Sequence, residues 1–282
     1  MWLLKIFLKI ILSRLPIKQK IFQKIGIFRN GGMNQVDYSK RIFFCHLEDL
    51  KSFKDFNEPV ILEIGPGDGI ATAIYSRVYN SPKVYLIDVE EFADTNISNY
   101  KDIIFSLKDE KNFQNINLSS LNTISDFLKE FNTSYLTNGI ESFKKIENFS
   151  VDYIFSHSVM EHIRLSTLDE MIEEMNRVLK VGGLVSHNIN YKDHLSDSLN
   201  NLRFSKRIWE SNFFANSGFY TNRVPAVEMH KKFVESGFEI IYQNFGSWAK
   251  LPLKRKYIHK EFSKYTDKEL NNCTSNFIAK KK

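Results

Sequence analysis

Downstream of Pro59 the chain alternates short apolar runs with stretches that are apolar on one face only. VILEIG (60–65) and KVYLID (83–88) have the length and residue types of buried strands, and a helix over 70–79 lies between them. The polar stretch 93–132 holds a helix around Ile124–Phe131, and SYLT (134–137) and VDYIFS (151–156) are two further strands. A helix over 167–179 sets Leu168, Met171, Ile172, Met175, Val178 and Leu179 on one face, so its methionines belong to a core and not to a ligand site. Gly182-Gly183 is expected to end that helix as a C-cap. Strands follow at LVSHNI (184–189), FEIIYQNF (238–245) and TSNFIA (274–279). Upstream, Ile42, Phe43, Leu47, Leu50 and Phe53 predict a helix over 38–56. Alternating β and α units with buried strands predict an α/β fold on a doubly wound, Rossmann-like parallel sheet.

The first 33 residues break this pattern. Residues 2–12 are apolar but for Lys5 and Lys9, four apart on one helical face, and Pro16 then breaks or kinks the helix. Beyond it Ile17, Ile21, Ile25 and Phe28 form a stripe flanked by Lys18, Lys20 and Lys24. The first run is about half the ~20 residues of a membrane span, and the segment lacks the small-residue cleavage site of a signal peptide. The charge lies here too. Of 39 basic residues, seven fall in the first 36 positions with no acid among them, which leaves 32 against 33 acids elsewhere. The body is therefore nearly neutral and offers no nucleic-acid surface. Two readings of residues 1–28 stay open. One is reversible contact with the inner face of the cytoplasmic membrane, lysines toward anionic headgroups. The other is a helical arm packed on its own domain or across a homodimer. The expected organisation is thus an arm over 1–33, a helix packing on the core over 34–57, and one domain over 58–282. With 43% apolar residues and 14% aromatics, disorder is excluded for most of the length. Cys45 and Cys273 form no CxxC or Cys/His cluster, which excludes a disulfide framework or zinc site and points to a reducing, cytoplasmic compartment.

The chemistry starts where the first strand hands over to a helix, at Glu63-Ile-Gly65-Pro66-Gly67-Asp68-Gly69. Glycines there let the backbone turn tightly and bring main-chain N–H groups to a ligand at a helix N-terminus. Ile70 stands where GxGxxG needs its last glycine, so the dinucleotide fingerprint is not met and a nicotinamide oxidoreductase is disfavoured. Nineteen residues past Gly69 the second strand ends in Asp88. In doubly wound folds an acidic residue at that place accepts the ribose hydroxyls of an adenosine ligand.

Four blocks in this order, LEIGPGDG (62–69), VYLID (84–88), SVDYIFSHSVMEHI (150–163) and NRVLKVGGLVSHNI (176–189), resemble the class I S-adenosylmethionine-dependent methyltransferases. NNLRFSKRIWE (200–210), SGFYTNRV (217–224) and FVESGFEI (233–240) extend the resemblance to a type 11 subgroup found with bacterial surface-polysaccharide biosynthesis, whose members often carry a similar basic arm. The resemblance implies S-adenosylmethionine as cofactor and a sugar in a surface glycan or its precursor as the O-methylated acceptor. Another small molecule or a lipid is the alternative acceptor. It places Glu63 against the methionine moiety, with Gly65, Pro66, Gly67, Asp68 and Gly69 as the floor beneath the cofactor. Asp88 would hold the ribose, Asn138-Gly139 would border the adenine, and Ser156 and His157 would border the methyl-transfer site. It also makes strands 238–245 and 274–279 a C-terminal antiparallel hairpin.

Methyl transfer from a sulfonium needs little help with the leaving group, so most of the acceleration is positional. A base is needed only for a hydroxyl or a protonated amine, and histidine suits that task. His157, His162, His187 and His194 each follow the carboxyl end of a strand, and His162, His187 and His194 are the expected catalytic set. Some methyltransferases bind a divalent metal through ExxEH at this place; Ser158 stands in its first position, so no metal site is expected. The run SHNINYKDHLSDSLNNLR reads either as a solvated loop or as an acceptor-facing insert over about 190–230. In the second case Asp193, Asn200 or Asn201 contact sugar hydroxyls, and Arg203 or Arg223 an anionic group. A membrane-tethered scaffold without activity is the rival class, and the intact Glu63, glycines and Asp88 count against it.

Overall fold

The computed structural model describes residues 32–282 apart from 54 and 56, so the expected arm lies, but for its last two residues, outside the described residues. β1 (Ile61–Ile64), β2 (Val84–Ile87), β3 (Thr133–Leu136), β4 (Val151–His157), β5 (Leu179–Asn190), β6 (Phe238–Ser247) and β7 (Asn272–Lys281) form one sheet in the order β3-β2-β1-β4-β5-β7-β6. Strands β1 to β5 pair in parallel, whereas β7 runs antiparallel to both β5 and β6. The doubly wound sheet and the hairpin are both there, and the sheet is accordingly mixed. Residues 248–271 join the two hairpin strands in place of a tight turn.

The period-two alternation of the strands feeds two cores. On one side Ile61, Val84, Leu86, Tyr153, Phe155 and Leu184 pack against α1 (Val36–Lys51), α2 (Ala71–Tyr75), α3 (Ile97–Phe105) and α4 (Ile124–Glu130). On the other, Leu62, Ile64, Ile154, Val185 and Ile189 meet α5 (Leu168–Val178) and α6 (Ala226–Glu235). Helix α5 shows why: Leu168, Met171, Ile172, Met175 and Val178 are buried, Asp169 and Glu170 occupy its first turn and Arg177 its last, as the helix dipole favours. Helix α4 is started by a capping box between Thr123 and Asp126. Helix α3 is not foreseen from the polar run around it; Asn96 caps it and Tyr100, Ile103 and Ile104 supply its short buried face.

Two boundaries need correction. Helix α1 stops at Lys51, leaving Phe53 43% exposed beyond its end. Gly182-Gly183 does not cap α5, because Leu179 already turns extended at φ −74° and ψ 137°. Both glycines lie within β5, where the register with β4 jumps from Val151↔Leu179 to Tyr153↔Leu184. Gly182 has φ 72° there, and a Cβ on Gly183 would lie 2.8 Å from the Leu179 side chain, so the bulge requires them.

The insert after β5 carries its own apolar cluster of Leu195, Trp209, Phe219 and Tyr220. Leu199 and Leu202 tie it to Leu253, Phe262 and Leu270 of the connection between β6 and β7. Insert and connection thus form one cap at the carboxyl edge of the sheet.

Candidate functional site

Strand β1 runs straight into the Gly-rich turn. Gly65 and Gly67 hold φ of 71° and 64°, a region glycine adopts without the Cβ penalty. A Cβ on Gly65 would fall 2.4 Å from the Val159 side chain, so the turn and the loop after β4 meet there. Asp68 and Gly69 also meet the segment that leads into α1. A Cβ on Gly69 would lie 2.4 Å from the Met33 backbone, and Met33 N–H donates to Asp68 Oδ1 at 2.9 Å. The residues leading into α1 therefore cross directly over the turn.

The structure brings Asp88, Gly67, Asn138 and Gly139 to one edge, and buries Pro66 beside them. Asp88 Oδ2 accepts from Gly67 N–H at 3.0 Å and Oδ1 from Val89 N–H at 2.8 Å. Gly139, at φ 54°, donates its N–H to the Asp88 carbonyl at 2.8 Å. Burial pushes the Asp88 carboxyl up to about 6. Glu63 is 2% exposed, and its Oε2 has no partner among the described residues. Burial pushes Glu63 up to about 8, against the opposing pull of the Thr72 hydroxyl. A buried carboxyl with an orphan oxygen beside the Gly-rich turn suits an amino-acid ammonium, which would pair that oxygen and restore the charge. The residues present fit S-adenosylmethionine.

Strand parity separates the remaining expected residues. Ser156 and His187 point to the α5/α6 side, where Ser156 Oγ lies 2.7 Å from His187 Nδ1. The His187 ring sits 5.1 Å from Phe233 and 5.4 Å from Phe277, fully buried, and burial pushes it down to about 3. This corrects the assignment of His187 as a base and of Ser156 as a border of the transfer site: both are sealed in the core. His157 turns the other way, toward α1. Its Nδ1 is 3.3 Å from His46 Nε2, and His46 Nδ1 is 2.7 Å from Ser186 Oγ. Burial pushes His157 down to about 4. The sequence reading misses His46 and Ser186. The signals are a histidine within the apolar stripe Ile42, Phe43, Leu47, Leu50, and the alternation of LVSHNI, which turns Ser186 away from His187.

Beyond β4, Ser158 has φ 55° and donates its N–H to the Asn188 carbonyl at 2.8 Å. His162 and His194 do meet, stacked with ring centroids 4.9 Å apart and Nε2 atoms 3.2 Å apart. The Tyr220 carbonyl lies 2.9 Å from His162 Nδ1, so Nδ1 carries the proton and Nε2 accepts from His194. Both ring nitrogens of His162 are thereby engaged, which argues against it as the base. Glu161 is 2% exposed, accepts from Asn190 N–H at 3.3 Å, and is pushed up to about 8 by burial.

The expected acceptor contacts on the insert hold the insert together instead. Asp193, 1% exposed, accepts from the N–H groups of Leu195, Ser196 and Asn200 and from the Asn200 amide. Asn200 in turn accepts from Arg203, whose guanidinium lies 4.8 Å from the Tyr257 ring centroid. Asn201 donates to Thr221 Oγ1. Arg223 donates to the carbonyls of Asn201 and Phe204 and is flanked by the rings of Trp209 and Phe262. Buried polar groups need such partners, and the insert supplies many of them internally, while Asn201 Oδ1 and Arg223 Nε meet none among the described residues.

Residues 62–186 match the family described as Methyltransferase domain. A SAM-dependent methyltransferase from Methanosarcina mazei is 14% identical with a TM-score of 0.50, over 83% of this chain and 96% of that one. A SAM-dependent methyltransferase from Archaeoglobus fulgidus is 13% identical with a TM-score of 0.49, over 94% of this chain and all of that one. No match is found among curated proteins.

Proposed function

We propose that this chain is a class I S-adenosylmethionine-dependent methyltransferase of the type 11 kind and that it O-methylates a sugar in a bacterial surface glycan or its precursor. The observation that carries the acceptor class is the chemistry of the cleft beyond the methyl donor. There the sheet face presents Asn188 of β5, Asn276 of β7 and Tyr242 of β6, neutral groups that exchange hydrogen bonds with hydroxyls. Asn188 donates to Asn276 across the β5–β7 pair, so the two amides are held as one unit. The blocks over 200–240 add the subgroup resemblance.

When bound, S-adenosylmethionine supplies a methyl group already activated on a sulfonium. What the chain contributes is placement: Asp88 and Glu63 anchor the two ends of the donor, Gly65 and Gly67 admit it, and the cleft orients the acceptor oxygen toward it. Residues 1–28 belong to the same proposal, as a basic, apolar-faced segment that attaches the enzyme to an anionic membrane surface where lipid-linked precursors reside. Among the described residues no helix is long and apolar enough to cross a membrane.

The test supplies the full chain with S-adenosylmethionine carrying a deuterated methyl group and a panel of acceptors: methyl hexosides, nucleotide-linked and lipid-linked sugars, quinones, RNA and protein. Mass spectrometry should find the label on a sugar oxygen. Label found only on quinone, RNA or protein overturns the acceptor class.

A further inference from the structure

His157, His162, His187 and His194 stand around the carboxyl ends of β4 and β5, and their hydrogen bonds divide the roles. His187 is enclosed by Phe233 and Phe277, and His162 has both nitrogens engaged by Tyr220 and His194. His157 differs. It is the last residue of β4, one step past the Ile64↔Ser156 pair, and so stands beside the Gly-rich turn. Its Nδ1 is taken by His46, while its Nε2 meets no described partner and its ring borders a small cleft of about 20 Å³. Asn188, Asn276 and Tyr242 line the same cleft. Behind it, His46 and Ser186 are each 5% exposed and bonded to each other at 2.7 Å. The His46 and His157 rings are perpendicular, at 89° with centroids 5.5 Å apart.

We propose that His157 is the proton acceptor of the methyl-transfer step and that His46 and Ser186 are positioning residues that fix its tautomer. The inference rests on the reading that the acceptor is a hydroxyl. Ser186 can accept from His46 Nδ1–H; His46 Nε2 then accepts from His157 Nδ1–H, and His157 Nε2 is left with its lone pair toward the cleft. The arrangement follows the logic of a base held by a third group, here with a second imidazole in the orienting place. As the acceptor oxygen takes the methyl group, the S–C electron pair stays on sulfur as the thioether and the hydroxyl proton passes to His157 Nε2. Positive charge moves from the sulfonium to the imidazolium, so the site gains no net charge. Burial pushes His157 down to about 4, so the imidazole is neutral at pH 7. Among the described residues, the charged or titratable groups around it are Arg41, Cys45 and His46 on α1 and Tyr242 on β6, and Arg41 adds to the downward shift.

Nitrogen-15 spectra of histidine-labelled full-length protein test the positioning without any acceptor. At pH 7.5 His157 should be neutral with its proton on Nδ1; Ser186→Ala should shift its population toward the Nε2-protonated form, and Ser186→Thr should restore it. A proton on His157 Nε2, or no response to Ser186→Ala, overturns the relay. Turnover is then read with methyl α-D-mannopyranoside and methyl α-L-rhamnopyranoside as probes. His157→Gln should lower kcat about 100-fold or more, the ordinary scale for a general base. Ser186→Ala should lower kcat several-fold with KM unchanged, and Ser186→Thr should recover it. An unchanged kcat in His157→Gln overturns the base while leaving sugar methylation standing. If wild type methylates neither glycoside, the sugar reading loses ground, and the tautomer measurement alone decides the inference.

Discussion

Cofactor binding should release a proton, and the release should vanish in Glu63→Gln. Glu63 is 2% exposed and raised by burial to about 8 from an ordinary value of 4.5, so at pH 7 about ten in eleven molecules carry the proton. An ammonium paired with its orphan oxygen favours the carboxylate, and a return toward the ordinary value would release about 0.9 proton per cofactor bound. Asp88, at about 6, adds roughly a tenth at most. The measurement is calorimetric titration with S-adenosylhomocysteine at pH 7 in phosphate and in Tris, whose ionisation enthalpies differ widely. Wild type should give a different apparent enthalpy in each buffer. Glu63→Gln keeps the size of the side chain and loses the titration, so its enthalpy should be the same in both, and its affinity lower by roughly 1.5–3 kcal/mol. The stability sign is also fixed. A folded value above the unfolded one gives a contribution that is whole below pH 4.5 and lost as pH rises through about 8. By linkage this carboxyl makes the free enzyme about 3 kcal/mol less stable at pH 7 than below pH 4.5, because the unfolded chain gives up its proton first. Glu63→Gln should therefore flatten the decline of Tm between pH 5 and 8. A wild-type enthalpy equal in both buffers refutes the reasoning.

Asp88→Ala should weaken S-adenosylhomocysteine by roughly 1.5–3 kcal/mol in the same titration, and wild-type affinity would show that this carboxylate holds no ribose. His187→Ala should lower stability by about 2–4 kcal/mol in urea melts, as a large core side chain does, with cofactor affinity retained. Because its folded value is depressed to about 3, His187 also contributes stability that is present above pH 6.5 and lost as pH falls; His187→Ala should shallow the acid limb of the stability curve. Full-length protein should float with anionic liposomes at low salt and dissociate at high salt, whereas a variant lacking residues 1–28 should stay in the aqueous fraction; flotation of the shortened chain would place the contact elsewhere.

The sheet and the cofactor half of the site were readable because both are written locally. At Gly65 a positive φ and a Cβ position 2.4 Å from the Val159 side chain together require glycine, and Asp88 stands at the end of a strand that alternation alone identifies. The acceptor half was not. Whether His187 or His157 meets the cleft depends on which face each strand turns outward, and that is settled by the register Ser156↔His187 and His157↔Asn188 across two chain segments. Asp193, Asn200 and Arg223 looked like acceptor contacts because a polar run in a loop gives no hint that its partners lie within the insert itself. Helix α3 escaped for a related reason: nine residues with three buried side chains make too short a period to register.

The strand order has a consequence for synthesis on the ribosome. Strand β7 lies between β5 and β6 in space but follows both in the chain. Until it emerges, β6 has no neighbour to pair with, and β5 exposes the N–H and C=O groups of residues 184–190 along an open edge. The parallel half of the sheet can assemble earlier, so the nascent chain passes through a stage with a formed cofactor turn and an unsealed flank. Chaperone dependence should be greatest in that interval, and premature stops between β6 and β7 should yield aggregates in place of a shortened, working enzyme.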